Sequence, residues 1–405
     1  MTLHLFGGYG IELEYMIVDR DTLAARPISD EILREASGNV EGDHEDGEAA
    51  WSNELVLHVI EFKTNGPARD LGKLPALFAA QVSRVNMMLE KHGAMLLPGG
   101  MHPLFDPHAE TRLWPHESNV IYETYNRIFD CRGHGWSNLQ STHLNLPFAG
   151  DAEFAWLHAA TRLILPIIPA LAASSPVADG RLQPALDFRL VQYAGNSARI
   201  PSATGKVIPE QVYSRESYYR EILQRIWDDT APFDPDGNLK GEFANARGAI
   251  ARFDRMALEI RLIDSQECPT AEIAVCAMIA EVLKAVIAGI DRPIDDLKHW
   301  PVEPLAEILN ACMAEAEHTE IRDADYLRAL GVPGASATAG EVWRSLAARV
   351  LAADSPWRAP LDVILGGTLA SRLKTALGGE VSGESIVRVW KELAVCLAQN
   401  RLFTA

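Results

Sequence analysis

The sequence predicts an α+β protein. Three observations carry this: stretches where apolar and polar side chains alternate, stretches where apolar residues recur at helical spacing, and Pro or Gly punctuation that intersperses the two. The 405 residues are 48% hydrophobic and 23% charged, enough apolar material for one or two large cores.

Taken in order, residues 11–18 read as a strand, and residues 38–48, acidic and glycine-rich, as a mobile loop. Residues 55–62 read as a second strand. Residues 74–92 carry apolar positions at helical spacing. Gly93 ends that pattern, a short strand follows over 94–97, and Pro98-Gly99-Gly100-Met101-His102-Pro103 turns the chain. A strand over 139–146 precedes a helix from about residue 152. The most apolar window, 154–173, contains His158, Arg162, Pro166 and Pro169, which suits a kinked buried helix better than a membrane span. A strand over 257–263 leads to a helix that Pro269 opens and Gly289 closes. Past about residue 291 the periodicity is mainly helical, as over 342–352 and 385–399, with no polar constellation. The expected organisation is a region 1–290 that holds the chemistry and a helical region 291–405 packed on it.

The formal net charge of −18 argues against a nucleic acid or an anionic membrane as the main partner, since both would be repelled. Five widely spaced cysteines without a C-x-x-C pair read as reduced core thiols. The first residues lack the basic flank and apolar stretch of a secretory signal, so the expected location is the cytoplasm.

Side chains at i and i+2 of a strand share a face, and the sequence uses this spacing three times. Glu12 and Glu14 share one face, with Leu13, Tyr15 and Ile17 on the other; taken alone, the pair fits a solvated face. Ser141, His143 and Asn145 share a face, as do Glu259 and Arg261. A core histidine and a surface ion pair are the bland readings of these two. Glu54 and Glu61 are seven apart, so an uninterrupted strand would set them on opposite faces; a bulge or an earlier strand start is needed if both serve one site. Five glutamates and one imidazole exceed what a single acid and base require. Hard oxygen ligands with one imidazole suit Mg²⁺ or Mn²⁺, the ions a nucleoside triphosphate needs. No G-x-x-x-x-G-K-[ST] loop is present, and Gly7-Gly8-Tyr9-Gly10 enters a strand rather than a helix, so any nucleotide site has another architecture.

The ordered set G-I-E-L-E-Y, E-x6-E-x-K-T, G-x-H-P, H-x-N, A-L-x-A-x-S-P and E-I-R-x-x-D resembles the bacterial glutamate-cysteine ligase family over about residues 8–290. The resemblance implies a glutamine synthetase-like catalytic region: a curved, mainly antiparallel sheet forming a funnel backed by helices, with ATP entering one end and the amino-acid substrates the other. It further implies that Glu14, Glu54 and Glu61 bind one Mg²⁺, that Glu12, His143 and Glu259 bind another, and that Arg261 contacts the transferred phosphate. Arg189, Arg199 and Arg255 become candidates for holding substrate carboxylate or phosphate groups, with Asn145 beside the nucleotide. Where many relatives carry H-x-H, this chain has His143-Leu144-Asn145, which bears on nucleotide or substrate selectivity.

The expected activity is ATP-dependent joining of a glutamate-like carboxylate to an amine, cysteine or another amino compound, through an acyl phosphate. Closure of the 38–48 loop is expected to exclude water, and a homodimer is the assembly considered. A two-metal hydrolase and a catalytically silent binding homologue remain open alternatives.

Overall fold

The protein is described by a computed structural model over residues 2–289, 293–379 and 381–404; the boundary expected at 290/291 lies outside these residues. Eight strands form one sheet: β1 (Gly10–Asp19), β2 (His44–Asp46), β3 (Ala49–Asn53), β4 (Val59–Thr64), β5 (Ala94–Leu97), β6 (Ser141–Pro147), β7 (Ala249–Arg252) and β8 (Ala257–Asp264). The spatial order is β2-β3-β4-β1-β6-β8-β7, with β5 on the second half of β1, and every ladder is antiparallel.

Alternation along β1 explains its central place. Ile11, Leu13, Tyr15 and Ile17 are wholly buried in the main core, while Glu12 and Glu14 face the other way. The helices Leu74–Glu90, Gly150–Ile164 and Pro269–Ile287 cover the apolar face of the sheet. Pro269–Ile287 is apolar on nearly all sides, as a helix enclosed by others must be. The kinked helix over 154–173 is present: the α-helix ends at Ile164, a single 3₁₀ turn spans Leu165–Ile167, and Pro169–Ala172 resumes, with Pro166 and Pro169 at the breaks.

Two expectations are corrected. Residues 55–62 are not one strand: β3 and β4 form a hairpin whose connection holds Glu54 to His58, and Ser52 stands opposite Glu61. The cue was Trp51-Ser52-Asn53, which continues the pairing before Glu54. Residues 38–48 are not a free loop. Gly38 ends the helix Ser29–Ser37 in the left-handed conformation, His44–Asp46 pairs with β3, and Asp43 and Asp46 make ion pairs with Lys63 (2.8 Å) and Arg84 (2.6 Å). Residues 44–46 are thus an edge strand, with ion pairs at Asp43 and Asp46, between irregular backbone over 38–43 and a turn at 47–48.

The region past residue 293 is mostly helical and includes the two-residue pairing Glu320–Ile321 with Ala337–Thr338. Its helices do not form a separate core. Leu305, Trp343 and Leu361 enter the main cluster, while Leu373, Trp390 and Leu393 bury Met16, Val18 and Leu97. The face of β1 that carries Glu12 and Glu14 thus turns apolar at Met16 and is covered from there on by C-terminal helices. Arg372 adds a buried ion pair to Glu267 at 2.6 Å, and its guanidinium also donates to the Phe403 carbonyl. All five cysteines are buried and unpaired, and among the described residues no helix is long and apolar enough to cross a membrane.

Candidate active site

Cross-strand register assembles the site. Glu14 stands opposite Glu61, Glu12 opposite both Lys63 and His143, and Asn145 opposite both Gly10 and Glu259. Residues paired across a ladder share a face, so polar positions from β4, β1, β6 and β8 converge on one concave surface. Gly10 is required for this: a Cβ there would lie 2.9 Å from Asn145 Cβ. In β8 a bulge between Ile260 and Ile263 sets two residues, Arg261 and Leu262, against His143. It keeps Asp264, as well as Glu259 and Arg261, on the site side, where strict alternation would have turned Asp264 away. Gly100 leaves room for that carboxylate, since a Cβ would come within 2.6 Å of it.

Two groups of potential ligand atoms lie within 4.8 Å of one another: Glu12, His143 and Glu259, and Glu14, Glu61 and His143. The first is the trio expected. The second differs from expectation in that His143 accompanies Glu14 and Glu61, while Glu54 stands in the hairpin connection beside them. His143 Nδ1 is 2.7 Å from Glu12 Oε2, and its Nε2 is 2.8 Å from Ser141 Oγ. Ser141 N–H donates to Glu14 at 2.8 Å, and Asn145 Nδ2 donates to Glu12 at 3.0 Å.

The charges are unevenly compensated. Burial disfavours ionised Glu12, yet the His143 hydrogen bond and charge, with Arg261 and Lys63, hold its pKa down to about 2. Burial likewise opposes a charged His143, and Glu12 and Glu14 outweigh it, raising the imidazole pKa. Glu259 is held low against burial by Arg252 (2.7 Å) and Arg261. Burial, and then neighbouring carboxylates, push Glu61 up to about 7 and Glu54 well above the usual range. A polyanionic pocket of hard oxygens with one imidazole, two of its acids repelled toward protonation, fits a divalent cation of the Mg²⁺ or Mn²⁺ type.

Two cavities adjoin this cluster. The larger, about 640 Å³, has Glu12, Lys63, Thr64, Asn145 and Arg255 in its lining. The smaller, about 240 Å³, has Glu14, Glu54, Arg189, Arg252 and Arg261. Arg261 Nε is 3.0 Å from Glu259 Oε1 without hydrogen-bond alignment, so the pairing is electrostatic. Arg189 is buried, ion-paired with Asp264, and leaves Nη2 without a hydrogen-bond partner. Arg255 reaches the larger cavity with a side chain 74% exposed. Arg199 is not brought to the site: it donates to the Ile128 carbonyl at 2.9 Å and lies 4.5 Å over the Phe233 ring. Arg252 went unread because β7 is short and separated from β8 only by the turn over 253–256; the alternation Ala249-Ile250-Ala251-Arg252 was its one signal.

With its antiparallel sheet and a carboxylate and imidazole cluster between two cavities, the chain matches the model of a ligase family. The chain belongs to glutamate-cysteine ligase family 2, whose model matches residues 9–348. It is 31% identical over 404 residues to an uncharacterized protein of Archaeoglobus fulgidus, covering 97% of this chain and 99% of that one. It is 24% identical over 394 residues to a putative glutamate–cysteine ligase 2-3 of Rubrobacter xylanophilus, covering 93% and 94%. The fold is similar to glutamate–cysteine ligase of Francisella tularensis in complex with AMP, with TM-score 0.59, 9% identity, and 96% and 88% of the two chains covered. It is also similar to a bifunctional glutathione synthetase of Pasteurella multocida, with TM-score 0.56, 13% identity, and 96% and 52% covered.

Proposed function

We propose that this protein uses ATP to join a glutamate-like carboxylate to an amine through an acyl phosphate, releasing ADP and phosphate. The observation that carries the reading is Glu12, His143 and Glu259 drawn together beside Arg261 on the concave face of a chain of this family. In the balanced sequence, a substrate carboxylate oxygen takes the γ-phosphoryl group of ATP. The amine nitrogen then attacks the acyl carbon, phosphate leaves, and the nitrogen gives up a proton as the amide forms.

Glu12, His143 and Glu259 would hold one divalent cation, and Glu14, Glu61 and Glu54 another. Such ions, when bound, supply charge neutralisation at the triphosphate. The other work belongs to the chain. Arg261 places a fixed positive charge against the phosphoryl oxygens, which acts strongly in a buried site. Arg252 keeps Glu259 ionised, and Ser141 orients Glu14. Arg189 offers its unpartnered Nη2 to a substrate carboxylate, and Asn145 and Arg255 border the larger cavity, the one with room for a nucleotide.

The test is ADP release from ATP and Mg²⁺ with glutamate and a broad amine panel, with the products identified. ADP formed only when acid and amine are both present supports the ligase reading. Absence of coupled turnover across the panel, or product formed without ATP, overturns it. Glu259→Gln is expected to abolish coupled turnover with the fold retained by circular dichroism.

A further inference from the structure

The smaller cavity has two unlike walls. Its charged lining residues come from the sheet, the β3–β4 connection and the helix Phe188–Gly195. The segment from Tyr122 to Trp136 contributes four rings and no charged side chain: Tyr122, Tyr125, Phe129 and Trp136. Phe129 stacks on Trp136 with centroids 5.3 Å apart and planes at 22°, and Tyr125 lies 5.2 Å from Trp136. The polar atoms of these rings are engaged elsewhere. Tyr122 Oη accepts from Asn53 at 3.0 Å, Tyr125 Oη donates to the Phe243 carbonyl, and Trp136 Nε1 donates to the Asn196 carbonyl at 3.0 Å. What remains for a ligand is mainly ring surface, with the Tyr122 hydroxyl proton beside it. Phe243, 55% exposed, extends that surface at the cavity's edge.

We propose that this ring wall is the acceptor-amine subsite and that the amine carries an aromatic body, a primary arylalkylamine rather than cysteine; this rests on the ligase reading above. A ring-bearing amine can stack offset against Phe129, Trp136 or Tyr125 while its nitrogen points toward the carboxylate cluster, where the acyl phosphate forms. A cysteine would leave the ring faces uncovered. At about 240 Å³ the cavity is below the roughly 300 Å³ at which drug-sized pockets begin, so it takes a small amine and not a nucleotide.

The experiment compares kcat/KM for 2-phenylethylamine, methylamine and cysteine with ATP, Mg²⁺ and glutamate. The expected preference for 2-phenylethylamine is ~10-fold or more over each. Phe129→Ala and Trp136→Ala should each cut that preference several-fold, with stabilisation by ATP retained as evidence of an intact fold. Equal use of the three amines, or a preference unchanged in both variants, overturns the proposal. If none of the three amines is turned over, the broad amine panel above decides the ligase reading, and calorimetry still decides the ring wall. Tighter binding of 2-phenylethylamine than of methylamine, weakened by Phe129→Ala, upholds an arylalkylamine site; equal binding overturns it.

Discussion

Arg372→Met isolates the buried ion pair that ties the C-terminal helices to the segment following β8. Glu267 is fully buried, and its carboxylate has two partners, Arg372 at 2.6 Å and the Phe403 N–H at 3.2 Å. Removing the guanidinium leaves a buried carboxylate with one neutral donor, a change that costs about 3–5 kcal/mol. An unfolding entropy near 2.1 cal/mol/K per residue over 405 residues makes that loss about 4–6 °C in melting temperature if the chain unfolds as one unit. The assay is a thermal melt followed by circular dichroism, on the two single variants and on Arg372→Met/Glu267→Leu. The double variant has no stranded charge and is expected to lose far less than the sum of the two singles. An Arg372→Met protein within about 1 kcal/mol of the parent, or a double variant as unstable as that sum, refutes the reasoning.

Further outcomes follow from the site. Glu61 has a folded pKa of about 7, above the ordinary 4.5, so metal-free stability falls as pH rises from about 4.5 through about 7. Added Mg²⁺ should therefore raise the melting temperature more at pH 8 than at pH 6, a chelator should reverse the gain, and Glu61→Gln should blunt both effects. Arg252→Ala removes the largest influence holding Glu259 ionised, so the acid limb of the pH–rate profile should move to higher pH. Arg261→Ala should lower kcat by ~100-fold or more, read in the ADP-release assay. Gly10→Ala forces its Cβ against Asn145 and should cost about 1–3 kcal/mol by chemical denaturation.

Most of the sheet was legible because its strands alternate apolar core residues with polar site residues: the alternation in residues 11–18, 139–146 and 257–263 matches β1, β6 and β8 nearly residue for residue. Helix ends at Pro269 and near Gly93 were legible from backbone chemistry. The hairpin around Glu54 was hidden because its connection carries Leu55-Val56-Leu57, an apolar run with no Gly or Pro to mark a turn, so it reads as part of one continuous strand. The pairing of His143 with Glu14 and Glu61 depends on which strands are neighbours, and the retention of Asp264 depends on a bulge; neither leaves a mark on local periodicity. The ring wall was missed because the helix Asn119–Phe129 is short and only half-buried, so its aromatic residues follow the cavity rather than the core.

The burial of Met16 and Val18 by side chains from Leu369 to Phe403 joins a strand to helices that are synthesised long after it. β1 lies at the centre of the sheet, yet half of one face stays apolar and uncovered until these helices have been made. The nascent chain therefore carries this strand in an exposed, aggregation-prone condition until residues 369–403 emerge. Pulse-labelled chains halted before residue 369 should associate with chaperones, while chains carried past residue 403 should be released and resist protease.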